Sequence, residues 1–292
     1  MDHNLQKYLA FIACVETESF SKAAEKLNFA QSSISKMISD LEKDCGMVLM
    51  ERDRNGIHLT GNGEELLPYA RKIAEACHGF QTHVDDLNGT IDGTIRTGTV
   101  ASIAINFLPD VFARFHRDYP GIRYEMLLGE YDEIENWLSD GRIDIGLLRL
   151  PSRKSFDTIF LFQNEYLAVL PVDHPLARKK TVDIRDFEGL PFILLENGGK
   201  TEVSALLEEA GVHPDIRLST WEDFAVMAMV EKGLAVSILA SNILERIPYH
   251  IAIRPLEKPY YRRLGAAVKD IRECSPAVRK FLEYLKMSAA PS

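Results

Sequence analysis

The sequence has few cysteines, and none of them lies in a metal-binding pattern. The four are Cys14, Cys45, Cys77 and Cys274. They are far apart, with no Cys-x-x-Cys pair and no cluster of histidines nearby. This spacing argues against a zinc site. It is typical of reduced, buried thiols in a cytosolic protein, so we expect no metal ion.

Long apolar runs are also missing. No run reaches membrane-spanning length, and Met1-Asp2-His3-Asn4 does not begin the basic and then apolar pattern of a signal peptide. Hydrophobic residues make up 46% and charged residues 26% of the chain, which is an ordinary globular composition. We expect a cytoplasmic protein with no membrane partner. Its 292 residues are enough for two or three domains.

The chain has no surplus of positive charge. Its formal net charge is −9. The first 60 residues contain seven basic and nine acidic residues, a net charge of −2. Because nucleic-acid-binding domains are usually basic, any DNA-binding surface here must gather its cations on one side. Non-specific binding to DNA should then be weak, and base contacts and dimerisation should matter more.

The common catalytic motifs are absent as well. There is no Gly-x-Ser-x-Gly, no His-Glu-x-x-His and no Gly-x-Gly-x-x-Gly. Gly199-Lys200-Thr201 resembles the end of a phosphate-binding loop, but that motif requires glycine at the position of Leu194. We therefore expect no enzyme and no cofactor. A P-loop-like nucleotide-binding enzyme and a soluble solute-binding protein remain as alternatives.

Two short amphipathic segments with a three-residue break organise the first 60 residues. Apolar residues recur at helical spacing in both segments. They are Phe20, Ala23, Ala24 and Leu27 in the first and Ile34, Met37, Ile38 and Leu41 in the second. Ser21 is in a position to cap the first segment. Helices this short and this tightly joined must cross steeply, which predicts a helix-turn-helix.

A further helix is predicted before this pair, over residues 4–17. Its apolar residues at helical spacing are Leu5, Leu9, Ile12 and Val15. We expect these four side chains to form its buried stripe, with the second helix as the floor on which they pack.

The polar side of the second segment carries groups that can recognise DNA. They are Gln31, Ser32, Ser33, Ser35 and Lys36. Glutamine can form two hydrogen bonds with adenine, serine can bind a base edge or a phosphate, and lysine favours guanine or phosphate. A solvated polar surface on an ordinary helical domain would show the same residues, so this pattern alone leaves both interpretations open.

A hairpin follows the two segments. Asn55-Gly56 separates two short apolar runs, which is a strong hairpin signal. A hairpin after a helix-turn-helix forms a wing, and Arg52 and Arg54 would lie where the phosphate backbone runs.

Over about the first ninety residues the sequence resembles the LysR-type transcriptional regulators. The shared residues are Ser-Phe-Ser-x-Ala-Ala from Ser19, Gln31 to Ser35, Leu41-Glu42, Gly46, Leu49, Arg52, Leu59-Thr60 and Gly63. Met50 and Asn62 depart from the pattern, where phenylalanine and a small residue are usual. The resemblance implies a winged helix-turn-helix over residues 1–60. The predicted DNA-binding residues are Ser21, Lys22, Gln31, Ser32, Ser33, Ser35, Lys36, Arg52 and Arg54.

Residues 61–89 read as one long helix with an apolar seam. The seam residues are Leu66, Ala70, Ile73, Cys77, Phe80, Val84 and Leu87. Alternating steps of four and three residues form a heptad repeat, which predicts a two-stranded coiled coil. The alternative is a helix that packs on its own domain. The family resemblance also implies a linker helix that joins two subunits.

Residues 90–292 change to alternating short strands and helices, including one predicted helix over residues 103–118. This alternation implies an α/β fold with a mostly parallel sheet. A weak internal repeat predicts two lobes, with chain crossings near residues 150–165 and 255–265. Lobe 1 would contain about 90–160 and 262–292, and lobe 2 about 161–261. Such a domain resembles the periplasmic-binding-protein-like effector module of LysR-type regulators.

The predicted effector site lies between the two lobes. Ser102 and Thr201 each follow a strand and open a helix, where free backbone N–H groups favour an anion. Lys200 adds a positive charge, and Arg149 and Trp221 are weaker candidates. The alternatives are that Ser102 and Thr201 are simple helix caps and that Trp221 only packs. Carboxylates are common effectors in the family, so we expect a small carboxylate.

Together these observations predict a DNA-binding transcriptional regulator. It would bind double-stranded promoter DNA as a homodimer or homotetramer and would respond to a small effector. The resemblance further implies that its contacts with RNA polymerase change when the effector binds.

Overall fold

A computed structural model describes residues 5–53, 56–88, 93–196, 202–245 and 247–289. The N-terminal part contains three helices, a hairpin and a long helix. These are α1 (Leu5–Thr17), α2 (Phe20–Leu27), α3 (Gln31–Cys45), β1 (Met50–Asp53), β2 (Gly56–Leu59) and α4 (Gly61–Asn88). No helix in the described part of the chain is long and apolar enough to cross a membrane.

The turn between α2 and α3 is set by local capping. The Ser19 hydroxyl accepts a hydrogen bond from the backbone N–H of Lys22, so Ser19 caps α2 and the prediction of Ser21 was wrong. Ser21 instead lies inside the first turn with an exposed side chain. Asn28 ends α2 in the left-handed conformation, with φ of 56°. This left-handed residue lets the chain reverse within three residues and start α3 across α2.

The buried side of α1 differs from the predicted stripe. The fully buried apolar side chains of α1 are Ala10, Phe11, Ala13 and Cys14. Leu5, Leu9, Ile12 and Val15 are only partly buried. Because α1 contacts α2, α3 and α4, its buried face is wide, and the small residues Ala10, Ala13 and Cys14 lie on it beside Phe11. The predicted residues lie at the edge of that face.

The hairpin is tied to both α3 and α4. The Glu42 carboxylate in α3 accepts hydrogen bonds from the N–H groups of Leu49 and Met50, at 2.8 and 3.2 Å. The Thr60 hydroxyl donates to the Val48 carbonyl at 2.8 Å and accepts from the Gly63 N–H at 3.1 Å. Thr60 therefore caps α4 and fixes the direction in which this helix leaves the wing.

The C-terminal part alternates strands and helices. The elements are β3 (Thr94–Thr99), α5 (Ala101–Asn106), α6 (Leu108–Asp118), β4 (Arg123–Leu128), α7 (Tyr131–Ser139), β5 (Ile145–Arg149), β6 (Asp157–Pro171), β7 (Pro191–Leu195), α8 (Glu202–Ala210), β8 (Asp215–Thr220), α9 (Asp223–Glu231), β9 (Ser237–Ala240), β10 (Ile251–Pro255), β11 (Tyr261–Val268) and α10 (Pro276–Ala289). Short 3₁₀ helices occur at Pro175–Arg178, Ile184–Phe187 and Ser241–Leu244. The predicted single helix over 103–118 is two helices, because the backbone of Phe107, with φ of −120°, departs from helical geometry.

The sheets are mixed rather than mostly parallel. Strand β3 pairs in parallel with β4 and β5, and β7 pairs in parallel with β8. The long strands β6 and β11 pair antiparallel with each other, and β9 and β10 join β6 antiparallel. The predicted crossings near 150–165 and 255–265 fall at these long strands. The sequence pattern indicated the βαβ units but missed the antiparallel strands that connect them.

Two separate hydrophobic cores lie along β6. The first contains Ile95, Val111 and Phe115, together with Phe281 of α10. The second contains Phe192, Leu206, Met227 and Ile238. The first half of β6 contributes Leu161 to the first core, and its second half contributes Ala168 to the second. The segment between these two positions therefore runs between the two lobes.

Candidate functional site

The outer surface of α3 presents the polar residues that were predicted to contact DNA. Gln31, Ser32, Ser35 and Lys36 are exposed and Ser33 is partly buried. The buried residues of the same helix are Ile34, Ile38 and Leu41. The apolar side of α3 thus packs in the hydrophobic core, and its polar side is exposed to solvent, where a partner can bind. Ser21 and Lys22, in the first turn of α2, are exposed as well.

The wing is present as a two-stranded hairpin. Arg52 lies in β1, and its backbone is opposite Ile57 of β2. The Arg52 side chain and the whole of Arg54 lie outside the described part of the structure. Their contact with the phosphate backbone stays a prediction.

The seam of α4 is shorter than predicted. Ala70 is buried in the hydrophobic core of the N-terminal domain and Leu66 packs against it partly buried, so this end of the seam offers little surface to a second chain. Ile73 is 37% exposed, Phe80 is 72% exposed, and Cys77 is exposed. Of the two remaining seam residues, Val84 is partly buried, and the Leu87 side chain is outside the described residues. The seam that is available to a partner therefore begins near Ile73.

Between the lobes, Arg262 is buried at the beginning of β11. Only 8% of this residue is exposed. Its Nη2 donates to the Asn242 side-chain oxygen at 2.7 Å and to the Ser102 hydroxyl at 3.3 Å. Its Nη1 donates to the Tyr131 hydroxyl at 3.3 Å. Ser102 and Tyr131 belong to the first lobe and Asn242 to the second, so one guanidinium bridges both lobes.

Ser102 takes part in this cluster, but not as a helix cap. Val100 is the N-cap residue of α5, and Ser102 lies in the first turn with a buried side chain. The interpretation of Ser102 as a simple cap was therefore wrong. Thr201 and Lys200 lie outside the described residues, so their place beside Ser102 stays a prediction. Trp221 is 62% exposed in the loop between β8 and α9.

Arg149, the remaining predicted effector residue, also points into the space between the lobes. Its Nη1 lies 3.5 Å from Oε1 of Glu202, the first residue of α8. Its guanidinium carbon lies 5.7 Å from the ring centre of Tyr131. Because Tyr131 also contacts Arg262, the two arginines are neighbours in one site.

Several acids of this site have perturbed protonation. Burial raises the pKa of Asp223 to about 6, although the positive charge of Arg262 acts in the opposite direction. Burial also raises the pKa of Glu130, and the nearby charge of Glu202 adds to this rise. Burial raises the pKa of Tyr131, so its hydroxyl stays protonated at neutral pH. Charged groups from both lobes thus act on one another here, with Arg262 buried, Asp223 partly buried and Glu130 exposed.

Arg262, the central residue of this site, was not among the residues predicted from the sequence. The first half of strand β11 alternates exposed and buried side chains, with Tyr261 and Arg263 exposed and Arg262 and Leu264 buried. A charged residue in the inward phase of a strand is the signal that could have identified Arg262. Asn242 and Glu202 carried no local signal, because each is one polar residue among many.

The described residues contain no group of three or more histidine, cysteine or acidic side chains arranged to hold a metal ion. The polar groups that meet between the lobes are hydrogen-bond donors, acceptors and charges. Such an arrangement can bind a small polar molecule.

Comparison with known proteins identifies both parts of the chain. Residues 5–64 match the model of the bacterial regulatory helix-turn-helix protein, lysR family, and residues 88–290 match the LysR substrate binding domain. The regulator LrrA of Synechococcus elongatus is 30% identical over 98% of this chain and 97% of its own length. The regulator YvbU of Bacillus subtilis is 28% identical over 94% of this chain and 95% of its own length.

The fold is shared with solved structures. A full-length OxyR variant from Pseudomonas aeruginosa superposes with a TM-score of 0.76 at 22% identity, covering 98% of this chain and 97% of that chain. The two family models together account for the helix-turn-helix and for the two-lobed domain. The chain therefore belongs to the LysR-type family of DNA-binding transcriptional regulators.

Proposed function

We propose that this regulator binds double-stranded promoter DNA through α3 and the wing, under the control of a small anionic effector held between the lobes. The observation that carries the effector part is the buried guanidinium of Arg262. It contacts both lobes, and among the described residues its hydrogen-bond partners are all uncharged groups.

A buried cation needs an anion more than an exposed one does. Taking a guanidinium out of water is costly unless a negative charge and good hydrogen bonds compensate. A carboxylate offers two oxygens that match the guanidinium geometry. Because the partners of Arg262 come from both lobes, an anion bound there stabilises the lobes in one relative position.

The effector changes DNA binding through the arrangement of the subunits in the oligomer. We place the protein in the cytoplasm as a dimer that α4 holds together, and we expect two such dimers to form a tetramer. A change in the angle between the lobes then shifts the spacing of the DNA-binding domains and the contacts with RNA polymerase. This is a coupling between two binding sites, so DNA must change effector affinity by the same factor.

The DNA part is tested by selecting genomic fragments with the full-length protein and footprinting the enriched sites. A two-fold symmetric dimer should select sites with two related half-sites. Gln31→Ala should cost about 1–3 kcal/mol of binding free energy and blur the preference at one base position. Lys43→Ala, at the other end of α3, is the matched control and should leave the footprint unchanged.

Equal footprints for the wild type and for a Gln31→Ala/Lys36→Ala double variant would contradict the assigned recognition surface. The effector part is tested separately with Arg262→Gln. This variant should still bind the selected DNA but lose its response to effector in a reporter assay. Arg263→Gln, the exposed neighbour, should retain the response.

A further inference from the structure

We infer that the ligand between the lobes is a zwitterion of the α-amino-acid class. Its carboxylate binds the guanidinium of Arg262, and its ammonium group lies against the carboxylates of Glu202, Glu130 and Asp223. This inference rests on the proposed function, because it keeps the carboxylate of the effector at the same site. It adds an ammonium group, which makes the ligand a zwitterion and not a simple anion.

The cationic half of the site is Arg262, whose guanidinium is held in place but has no anionic partner among the described residues. A guanidinium has five N–H donors. Three hydrogen bonds join Arg262 to Ser102, Tyr131 and Asn242. Its Nε is buried and has no hydrogen-bond partner among the described residues. The neutral partners hold the guanidinium in place without neutralising it, which leaves it ready for a carboxylate.

The anionic half lies in the same space. Oε1 of Glu202 is buried without a hydrogen bond from the described residues, and Arg149 Nη1 is 3.5 Å away. Glu130 precedes α7 in the first lobe, and Asp223 begins α9 in the second. The charge of Glu202 raises the pKa of Glu130, and the charge of Glu130 raises that of Asp223. The three like charges thus act on one another in this half of the site.

The two halves meet at Tyr131. Its hydroxyl accepts a hydrogen bond from Arg262 Nη1 at 3.3 Å, and its ring centre lies 5.7 Å from the guanidinium carbon of Arg149, whose Nη1 lies 3.5 Å from Glu202 Oε1. No ion pair between Arg262 and a carboxylate forms among the described residues, because its hydrogen bonds direct it towards neutral groups instead. In an α-amino acid the carboxylate and the ammonium group share one carbon atom. The site therefore offers a partner for each of the two charges of such a ligand.

Ligands of a single charge fit this site less well. A simple carboxylate would complete Arg262 but add a fourth negative charge beside three carboxylates, which like-charge repulsion opposes. A simple amine would relieve the carboxylates but leave the buried guanidinium without an anion. A zwitterion satisfies both groups and leaves the net charge of the site unchanged.

The test uses matched pairs of ligands on the full-length protein. The twenty L-amino acids are each compared with the carboxylic acid that lacks the ammonium group, such as glutamate with glutarate and alanine with propionate. Thermal melting identifies binders, and calorimetry measures their affinity. We expect at least one amino acid to raise the melting temperature and to bind at least tenfold more tightly than its partner acid.

Variants of Glu202 and Arg262 test which end of the ligand each residue binds. Glu202→Gln keeps the shape of the side chain and should reduce the affinity for the amino acid at least tenfold, with a smaller effect on the partner acid. Glu209→Gln makes the same change at an exposed position of α8 and should have no effect. Arg262→Lys should weaken both ligands, since it loses the planar guanidinium.

The outcomes separate this inference from the proposed function. If the acids bind as tightly as the amino acids and Glu202→Gln leaves both affinities unchanged, the ligand is a simple anion and the zwitterion is wrong. If neither set raises the melting temperature of a protein that binds its DNA, the zwitterion and the carboxylate effector are both wrong, while the role in DNA binding stands.

Discussion

At the scale of single residues, Gly63 decides how α4 joins the wing. A Cβ atom at this position would lie 2.1 Å from the backbone carbonyl oxygen of Leu49. That oxygen accepts a hydrogen bond from the Thr60 N–H at 3.0 Å, so it cannot move away without breaking the hairpin junction. Any side chain at Gly63 must therefore displace α4 from the domain.

Gly63→Ala should destabilise the N-terminal domain by about 1–3 kcal/mol through overpacking. The matched control is Gly61→Ala, two residues earlier in the same helix, where a Cβ atom meets no atom within 4 Å. Melting followed by circular dichroism of the full-length variants checks the difference. Equal melting temperatures for the two variants would show that the junction is not as tight as the structure indicates.

Asp223 makes the stability of the folded protein depend on pH, and a single substitution at this position should remove that contribution. Its pKa is raised by burial from 3.8 to about 6 in the folded protein, so the folded state binds the proton more tightly than the unfolded state. The contribution of this group to stability is therefore largest at low pH and is lost as the pH rises from about 4 to about 6.

Relative to Asp223→Asn, the wild type should lose about 1–2 kcal/mol of stability over this interval, allowing for partial exposure. Melting temperatures of both proteins at pH 4.5, 5.5, 6.5 and 7.5 measure the change. Glu222→Gln, the exposed neighbour, serves as the control. If the difference between wild type and Asp223→Asn is independent of pH, then Asp223 titrates near its ordinary value.

At the scale of elements, α4 combines two contacts that its sequence pattern does not distinguish. Its first turns pack on the N-terminal domain through Leu66 and Ala70. Its middle leaves Ile73, Cys77 and Phe80 exposed. Large apolar side chains in a row on a helix surface are unfavourable in water, so we expect this part to be the surface for a second copy of α4.

Replacing both Ile73 and Phe80 with aspartate should halve the assembled mass of the full-length protein. Burying carboxylates in the seam costs more than the apolar contacts between two helices can offset. Light scattering measures the mass, against 33.0 kDa for one chain. Lys72→Asp introduces the same charge beside the seam and should leave the mass unchanged. An unchanged mass for the double variant would place the dimer contact elsewhere.

At the scale of the whole molecule, the net negative charge disfavours non-specific binding to DNA. The net charge is −9, and the first 60 residues carry −2. Affinity must therefore come from two DNA-binding domains acting together and from a few well-placed cations. A dimer with few phosphate contacts should lose affinity only gradually as salt is added.

Arg54→Ala should weaken binding to selected and random DNA by the same factor. The slope of log affinity against log salt should fall by about 1 for each phosphate contact that is lost. Titrations at several salt concentrations measure both effects. A loss restricted to the selected DNA would mean that Arg54 reads bases and does not contact the phosphate backbone.

Local patterns in the sequence determined the helix-turn-helix and the alternation of strands and helices. Helical spacing, a turn-forming Asn55-Gly56 pair and short strands are properties of neighbouring residues, so they can be read from the chain. One error was also local. Ser19 rather than Ser21 caps α2, because the helix begins at Phe20, two residues before the start that a Ser21 cap implies.

Only the tertiary structure decided how the interlobe site is built. Ser102, Tyr131, Asn242 and Arg262 meet from positions up to 160 residues apart. No periodicity relates them, because their contact depends on two strands that carry the chain between the lobes. Likewise, the heptad of α4 predicted an apolar seam, but the packing of α1 beside Ala70 decided which part of it stays free. Periodicity reports which side of an element is apolar, whereas the fold determines what covers that side.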